Sequence, residues 1–118
     1  NYDLNTDASF QSQIADILKA PDKKVGFFAM NSRVLQELLK VTQSLSYAYA
    51  TDFGVATYEE FEWMALMRPG ISCIRQDSFA IGYSAMEMLK DKLESKLTSE
   101  PKARVKTIPT KEIIRASF

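Results

Sequence analysis

The sequence predicts an α/β protein with a mostly parallel sheet and helices on both faces of that sheet. Short apolar runs that follow charged or polar residues alternate with longer amphipathic segments along the 118-residue chain. This alternation builds parallel sheets with right-handed crossover connections. The apolar fraction is 46% and the charged fraction 25%, as in ordinary folded domains, so a disordered chain is disfavoured.

Individual elements follow from apolar spacing and from the residues that start and stop helices. Helices are predicted over residues 7–19, from about 32 to about 43, over 59–67 and over 78–97. Strands are predicted over residues 24–30, 52–58, 71–75, 104–108 and 111–116. The segment 46–50 fits neither pattern.

The composition disfavours several classes of function. Fifteen basic residues balance fifteen acidic ones, so no long-range field favours direct binding of nucleic acid. The chain has no histidine, which removes the commonest general base and excludes a Ser–His–Asp device within it. It also has no glycine-rich phosphate loop and no cluster with metal-ligand spacing. We therefore expect no catalytic residues, no metal and no cofactor.

A cytoplasmic location is expected. The single cysteine, Cys73, lies in an apolar run that favours inert packing, and no disulfide can form within one chain. No apolar run approaches the roughly 20 residues that span a bilayer, so no membrane partner is expected. The first residues, NYDLNTD, lack the apolar stretch of a signal peptide and an initiator Met, so the chain is expected to be part of something longer.

Polar residues follow the first three predicted strands at the point where ligands bind in open parallel sheets. They are Asn31, the adjacent Glu59 and Glu60, and Gln76. An amide offers both a donor and an acceptor, and a carboxylate accepts from neighbouring hydroxyls. Simpler roles stay open: a helix N-cap for Asn31, a helix first turn for the glutamates, and an exposed loop position for Gln76.

A short apolar segment after the second strand has two possible roles. It contains Phe61, Trp63, Met64, Leu66 and Met67. A short helix cannot easily bury all of these in a small domain, and excess apolar surface marks a protein interface. Dimer contact and plain core packing are therefore weighed about equally.

Four segments in register resemble the effector-binding region of the lactose-repressor/galactose-repressor (LacI) family of bacterial transcription regulators. They are KKVGFFAMNSRVLQELL, TDFGVATYEEFEW, RPGISCIRQDSFAIGYSAMEML and the closing IPTKEIIRASF, which carries an arginine, Arg115, as family members usually do. The sequence departs from the family pattern at Ser32 and Glu59, which stand for aspartates, at Thr57, which stands for glycine, and at Ser78, which often stands for an aromatic residue.

The resemblance implies a partial periplasmic-binding-protein-like fold. Residues 1–118 would form a single fragment, the C-terminal part of the effector-binding domain, with the DNA-binding head absent. It implies that Asn31, Glu59 and Gln76 contact a small, sugar-like effector and that the protein is a repressor that dimerises. DNA would be bound only through the missing head. The alternative is a fragment of a periplasmic sugar-binding protein, which shares the fold.

The long helix predicted over residues 78–97 carries an apolar stripe that should need a partner. Its members are Phe79, Tyr83, Met86, Leu89, Leu93 and Leu97. In the family the matching helix packs on a subdomain that this chain lacks. We therefore expect the stripe to pack against another copy of the chain, which would make the fragment an oligomer.

Overall fold

The computed structural model describes residues 8–20, 24–94 and 104–118, and these residues form two compact units. The first unit runs to Arg75 and resumes at Glu112–Phe118, and the second is Gln76–Lys111. In chain order the elements are α1 (Ala8–Leu18), β1 (Val25–Ala29), α2 (Ser32–Ser44), β2 (Phe53–Thr57), α3 (Glu62–Leu66), β3 (Ser72–Arg75), α4 (Ser78–Glu94) and β4 (Lys111–Ile113).

The four strands form one sheet in the order β1-β2-β3-β4. β1 and β2 run parallel with Ala29 opposite Thr57, and β2 and β3 run parallel with Thr57 opposite Cys73. The predicted α/β class with a mostly parallel sheet is therefore confirmed. Because β1, β2 and β3 run in the same direction, their carboxyl ends lie along one edge of the sheet.

The core of the first unit lies on one face of the sheet. Alternate residues of β1 and β2 point to this face because side chains alternate along a strand. There the Phe27 and Phe53 rings meet edge to face, with 5.4 Å between centroids. The helices complete a cluster of buried side chains: Ile14, Ala29, Leu35, Leu38, Phe53, Val55, Met64 and Ile71. Each fully buried side chain of this kind contributes about 1.5–3 kcal/mol.

The third helix is shorter than predicted, because α3 covers only Glu62–Leu66. The prediction began it at Glu59, but Glu59 and Glu60 accept hydrogen bonds from groups outside the helix and lie in irregular backbone before it. The apolar segment that includes this helix is partly in the core and partly exposed, and its role in dimer contact stays a prediction. Met64 is fully buried, while Phe61 is 41% and Leu66 75% exposed.

The predicted strand over residues 104–108 is wrong, since the structure gives this segment no strand. Within the second unit its basic side chains instead approach acidic side chains of α4. Arg104 lies 3.5 Å from Asp91, and Lys106 lies 3.9 Å from Glu87. The last strand is correspondingly brief. It covers three of the six residues predicted for it, Lys111–Ile113.

The other elements match their predictions to within a few residues. Each bound of α1, β1, α2, β2 and β3 lies within three residues of its prediction. The helix α4 begins at Ser78 as predicted and is described as far as Glu94. Asp7, at the start of the first predicted helix, and residues 95–97, at the end of the last one, lie outside the described ranges. The ambiguous segment 46–50 is irregular, with positive φ at Ser46 and Ala50. Its form is held by Asp52, whose carboxylate accepts a hydrogen bond from the Ala48 amide at 2.7 Å.

The closing residues of the chain are built into the sheet. Ser117 is fully buried, and its carbonyl accepts a hydrogen bond from the Val55 amide at 2.8 Å. Its hydroxyl donates to the Val55 carbonyl at 2.7 Å and accepts from the Ser72 amide at 2.8 Å. The Ser117 amide donates to the Gly70 carbonyl at 3.1 Å. Ser117 therefore joins β2 to the start of β3.

Phe118 lies over two glycines that face each other across β1 and β2. A Cβ at Gly54 would lie 3.2 Å from its ring, and one at Gly26 would lie 3.5 Å from it. The first distance is tighter than ordinary van der Waals contact. A side chain at Gly54 would therefore require the exposed Phe118 ring to shift by a few tenths of an ångström.

In the second unit, the apolar stripe of α4 is exposed. Phe79 is 82%, Met86 65% and Leu93 76% exposed, and Tyr83 and Leu89 are also exposed. The Phe79 and Tyr83 rings stack on each other, with 6.2 Å between centroids. Residue Leu97, predicted to extend the stripe, lies outside the described residues.

Candidate functional site

Asn31 is the N-cap of α2, which is one of the two roles predicted for it. Its backbone is extended, and its side-chain oxygen accepts a hydrogen bond from the Val34 amide at 2.9 Å. The residue is exposed, and within the described residues its side-chain nitrogen donates no hydrogen bond. The cap therefore uses the acceptor of the amide and leaves the donor available.

Glu59 reaches the same helix end from the neighbouring strand. One of its carboxylate oxygens accepts a hydrogen bond from the Ser32 amide at 3.2 Å. The strand ends are held together by two bonds to Ala29, whose carbonyl accepts from the Tyr58 amide and from the Thr57 hydroxyl, both at 3.0 Å. Asn31 and Glu59 thus satisfy two of the amides that the first turn of α2 leaves unpaired.

The chemistry of this edge suits a polyhydroxylated ligand. Glu59 is partly exposed and keeps a second carboxylate oxygen that accepts no hydrogen bond within the described ranges. The adjacent Asn31 nitrogen supplies a donor. A sugar carries several hydroxyl groups that both donate and accept, so its hydroxyls match both side chains.

The adjacent glutamates do not converge on one ligand. Glu60 accepts hydrogen bonds from Arg115 and, at 3.3 Å, from Arg75, while Glu59 turns to α2. Sequence reasoning placed Glu60 at the strand end but missed both of its partners. The available signal was an arginine at the end of each of two other predicted strands.

Gln76 is the first residue of the second unit, whereas Asn31 and Glu59 belong to the first. It is partly exposed and directly follows β3. The next residue, Asp77, caps α4, since its carboxylate accepts from the Ala80 amide at 2.8 Å. The structure therefore brings Asn31 and Glu59 together, and the participation of Gln76 stays a prediction.

Cys73 is buried in β3, in agreement with its predicted packing role. Burial raises the pKa of its thiol above the ordinary value, although a hydrogen bond from Arg115 acts in the opposite direction. A raised thiol pKa lowers the fraction of reactive thiolate at neutral pH. In the part of the chain that the structure describes, no group of acidic or cysteine side chains is arranged to hold a metal ion. Nor does any helix in those ranges have the length and apolarity needed to cross a bilayer.

Comparison with known proteins gives a family match over nearly the whole sequence. The model of the periplasmic binding protein-like domain matches residues 2–118. A curated relative, the HTH-type transcriptional regulator KdgR of Bacillus subtilis (strain 168), is 30% identical over 74 residues, which are 63% of this chain and 22% of that protein.

Solved structures share the fold at lower identity. A LacI family transcriptional regulator from Enterococcus faecalis V583 with bound ribose has a TM-score of 0.73 and 20% identity, covering 91% of this chain and 38% of that one. A LacI family regulator from Arthrobacter sp. FB24 in complex with lactose has a TM-score of 0.69 and 20% identity, covering 91% and 39%. The chain thus spans well under half the length of these proteins.

Proposed function

Because the chain belongs to the periplasmic binding protein-like domain family, we propose that it is the C-terminal part of the effector-binding domain of a LacI-type transcriptional repressor. Its effector is a sugar or a related metabolite. The observation that carries the proposal is the pairing of Asn31 and Glu59, a free amide donor beside a carboxylate, at the carboxyl edge of a parallel sheet. We include Gln76 as a third contact.

The relatives support this proposal at the level of protein class. The curated relative is a transcriptional regulator, and two of the structural neighbours are LacI family regulators solved with ribose or lactose. The identities of the structural neighbours are too low to transfer a particular sugar. The free polar atoms of Asn31 and Glu59 favour the same broad class of ligand independently, because they match hydroxyl groups.

Such a protein acts by shifting an equilibrium and requires no catalysis. Effector binding favours one conformation of the regulator over another, to the extent that the affinities of the two conformations for the effector differ. DNA is contacted by a separate head, outside this chain, and the regulator acts in the cytoplasm. We accordingly propose that the chain has no enzymatic activity.

A thermal-shift screen of the full-length protein tests the proposal. The panel contains ribose, lactose, other pentoses, hexoses and disaccharides, with nucleobases as a second class. At a concentration 100 times its Kd, a ligand that binds only the folded state adds about 2.7 kcal/mol of stability, so at least one sugar should raise Tm by several degrees. A panel in which no sugar changes Tm contradicts the proposal, and a response to nucleobases alone contradicts the sugar-like effector.

We also propose that the chain self-associates through exposed apolar side chains. The stripe on α4 includes Leu89 and Leu93, which are 49% and 76% exposed, and a stripe of this kind marks an interface. Sedimentation of the chain at high concentration should give a dimer or larger species, and the double change Leu89→Glu, Leu93→Glu should give a monomer. The control Lys90→Glu alters charge on the same helix and should leave association intact. A monomeric wild-type chain contradicts self-association.

A further inference from the structure

One carboxylate is shared by two arginines that flank both places where the chain passes between its two units. The chain leaves the first unit after Arg75 and returns to it at Glu112. Arg75 and Arg115 both donate to Glu60, which belongs to the segment after β2. All three side chains lie in the first unit, so the contacts describe that unit alone.

The Arg115 side of this arrangement is firmly held. Its guanidinium donates to the Ile71 carbonyl at 2.6 Å and to the Cys73 sulfur at 3.5 Å, as well as to Glu60. Its amide donates to the Ser72 hydroxyl at 2.9 Å, and that hydroxyl donates to the Arg115 carbonyl at 3.0 Å. The aliphatic part of Arg115 also packs closely on Gly70, where a Cβ would lie 2.9 Å from Arg115 Cδ. Arg115 is therefore a fixed anchor for Glu60.

The Arg75 side is looser. The Arg75 side chain is 50% exposed, and its nitrogen lies 3.3 Å from Glu60. Glu60 and Arg115, by contrast, are 18% and 19% exposed. The hydrogen bond to Glu60 raises the pKa of Arg115 above its ordinary value, and the guanidinium remains charged. Most of the restraint on Glu60 thus comes from Arg115.

The position of Glu60 determines what its neighbour can do. Glu59 and Glu60 are adjacent carboxylates, and like charges repel unless one of them is compensated. The two arginines compensate the charge of Glu60 and fix its side chain, while Glu59 accepts from the Ser32 amide. The segment between β2 and α3 is short, so a shift of Glu60 moves Glu59 as well.

We infer that Glu60 is a positioning residue for the proposed ligand site, held by Arg115 and Arg75 so that the Glu59 carboxylate stays at the first turn of α2 beside Asn31. This role rests on the proposed function, because it concerns the proposed ligand site. The geometry to be tested involves only Glu60, Glu59 and Ser32. Arg75 and Arg115 flank the points where the chain leaves the first unit and returns to it. Their contacts with Glu60 therefore connect the proposed site to those segments of the first unit.

The test is a comparison of backbone amide signals by NMR in the absence of any ligand. In Glu60→Gln, the Ser32 amide proton should move upfield and its hydrogen-exchange protection should fall several-fold, toward the values of Glu59→Gln. The Val34 amide, which bonds to Asn31 in the same helix turn, is the internal reference and should keep its shift and protection. Glu37→Gln, which removes an ion pair to Lys40 on α2, is the matched control and should leave Ser32 unchanged.

A second variant keeps the test decisive where Glu60→Gln does not fold. Glu60→Asp retains the charge but is one methylene shorter, so it should displace the Ser32 signal in the same direction by a smaller amount. Ser32 signals that equal those of the wild type in a folded Glu60 variant overturn the inference. If the Glu60 variants change the Ser32 amide signals but the protein binds no sugar, only the proposed function is contradicted. If the protein binds a sugar but the Glu60 variants leave the Ser32 amide signals unchanged, only the positioning role is contradicted.

Discussion

Replacing Ser117 with alanine is expected to lower the free energy of unfolding by about 3 kcal/mol. The hydroxyl is fully buried and bonds to the Val55 carbonyl and the Ser72 amide. Its loss leaves two backbone groups without this partner in the interior, and each such group costs about 1–3 kcal/mol. Since small domains are stable by only about 5–15 kcal/mol, the change should be large relative to the total.

Urea denaturation of the wild-type chain and of matched serine variants measures this effect. Ser44→Ala is the control, because Ser44 is exposed and, among the described residues, its hydroxyl bonds only to the carbonyl of Val41, one turn back in α2. That variant should remain within about 0.5 kcal/mol of the wild type. A Ser117→Ala variant as stable as Ser44→Ala would show that the two hydrogen bonds of the Ser117 hydroxyl do not stabilise the fold.

Local patterns were sufficient to predict the three parallel strands and part of the site. The apolar runs before Asn31 and Glu59 predicted β1 and β2, and parallel strands place their carboxyl ends on one edge. The cap at Asn31 also follows from local sequence, because asparagine before an amphipathic segment is a helix start signal. The common location of Asn31 and Glu59 was therefore predictable without a structure.

The contacts that hold the site together were not predictable in this way. Glu60 and Arg115 are 55 residues apart in sequence, and Ser117 and Val55 are 62 apart. No periodicity or turn signal connects such residues, because their pairing depends on how the whole chain folds. Arg115 was identified only as a residue that resembles one in the family, without a partner.

The predicted strand over residues 104–108 failed for a related reason. The segment contains three β-branched residues, Val105, Thr107 and Ile108, which are common in strands, but β structure also requires a neighbouring strand with free backbone groups. Arg104 and Lys106 approach acidic side chains of α4 instead, and Val105 is 90% exposed. Strand propensity alone does not predict that these side chains approach α4 instead of the segment joining the sheet.

The central claim is that the edge formed by Asn31 and Glu59 binds the effector. Calorimetric titration of the full-length protein with ribose, or with the sugar that gives the largest thermal shift, tests it most directly. Hydrogen bonds to charged groups contribute about 1.5–3 kcal/mol, so Glu59→Ala should weaken binding by about 10- to 100-fold. Glu62→Ala, an exposed glutamate in the first turn of α3, should keep the wild-type affinity. Equal affinities for the wild type and Glu59→Ala would contradict the claim.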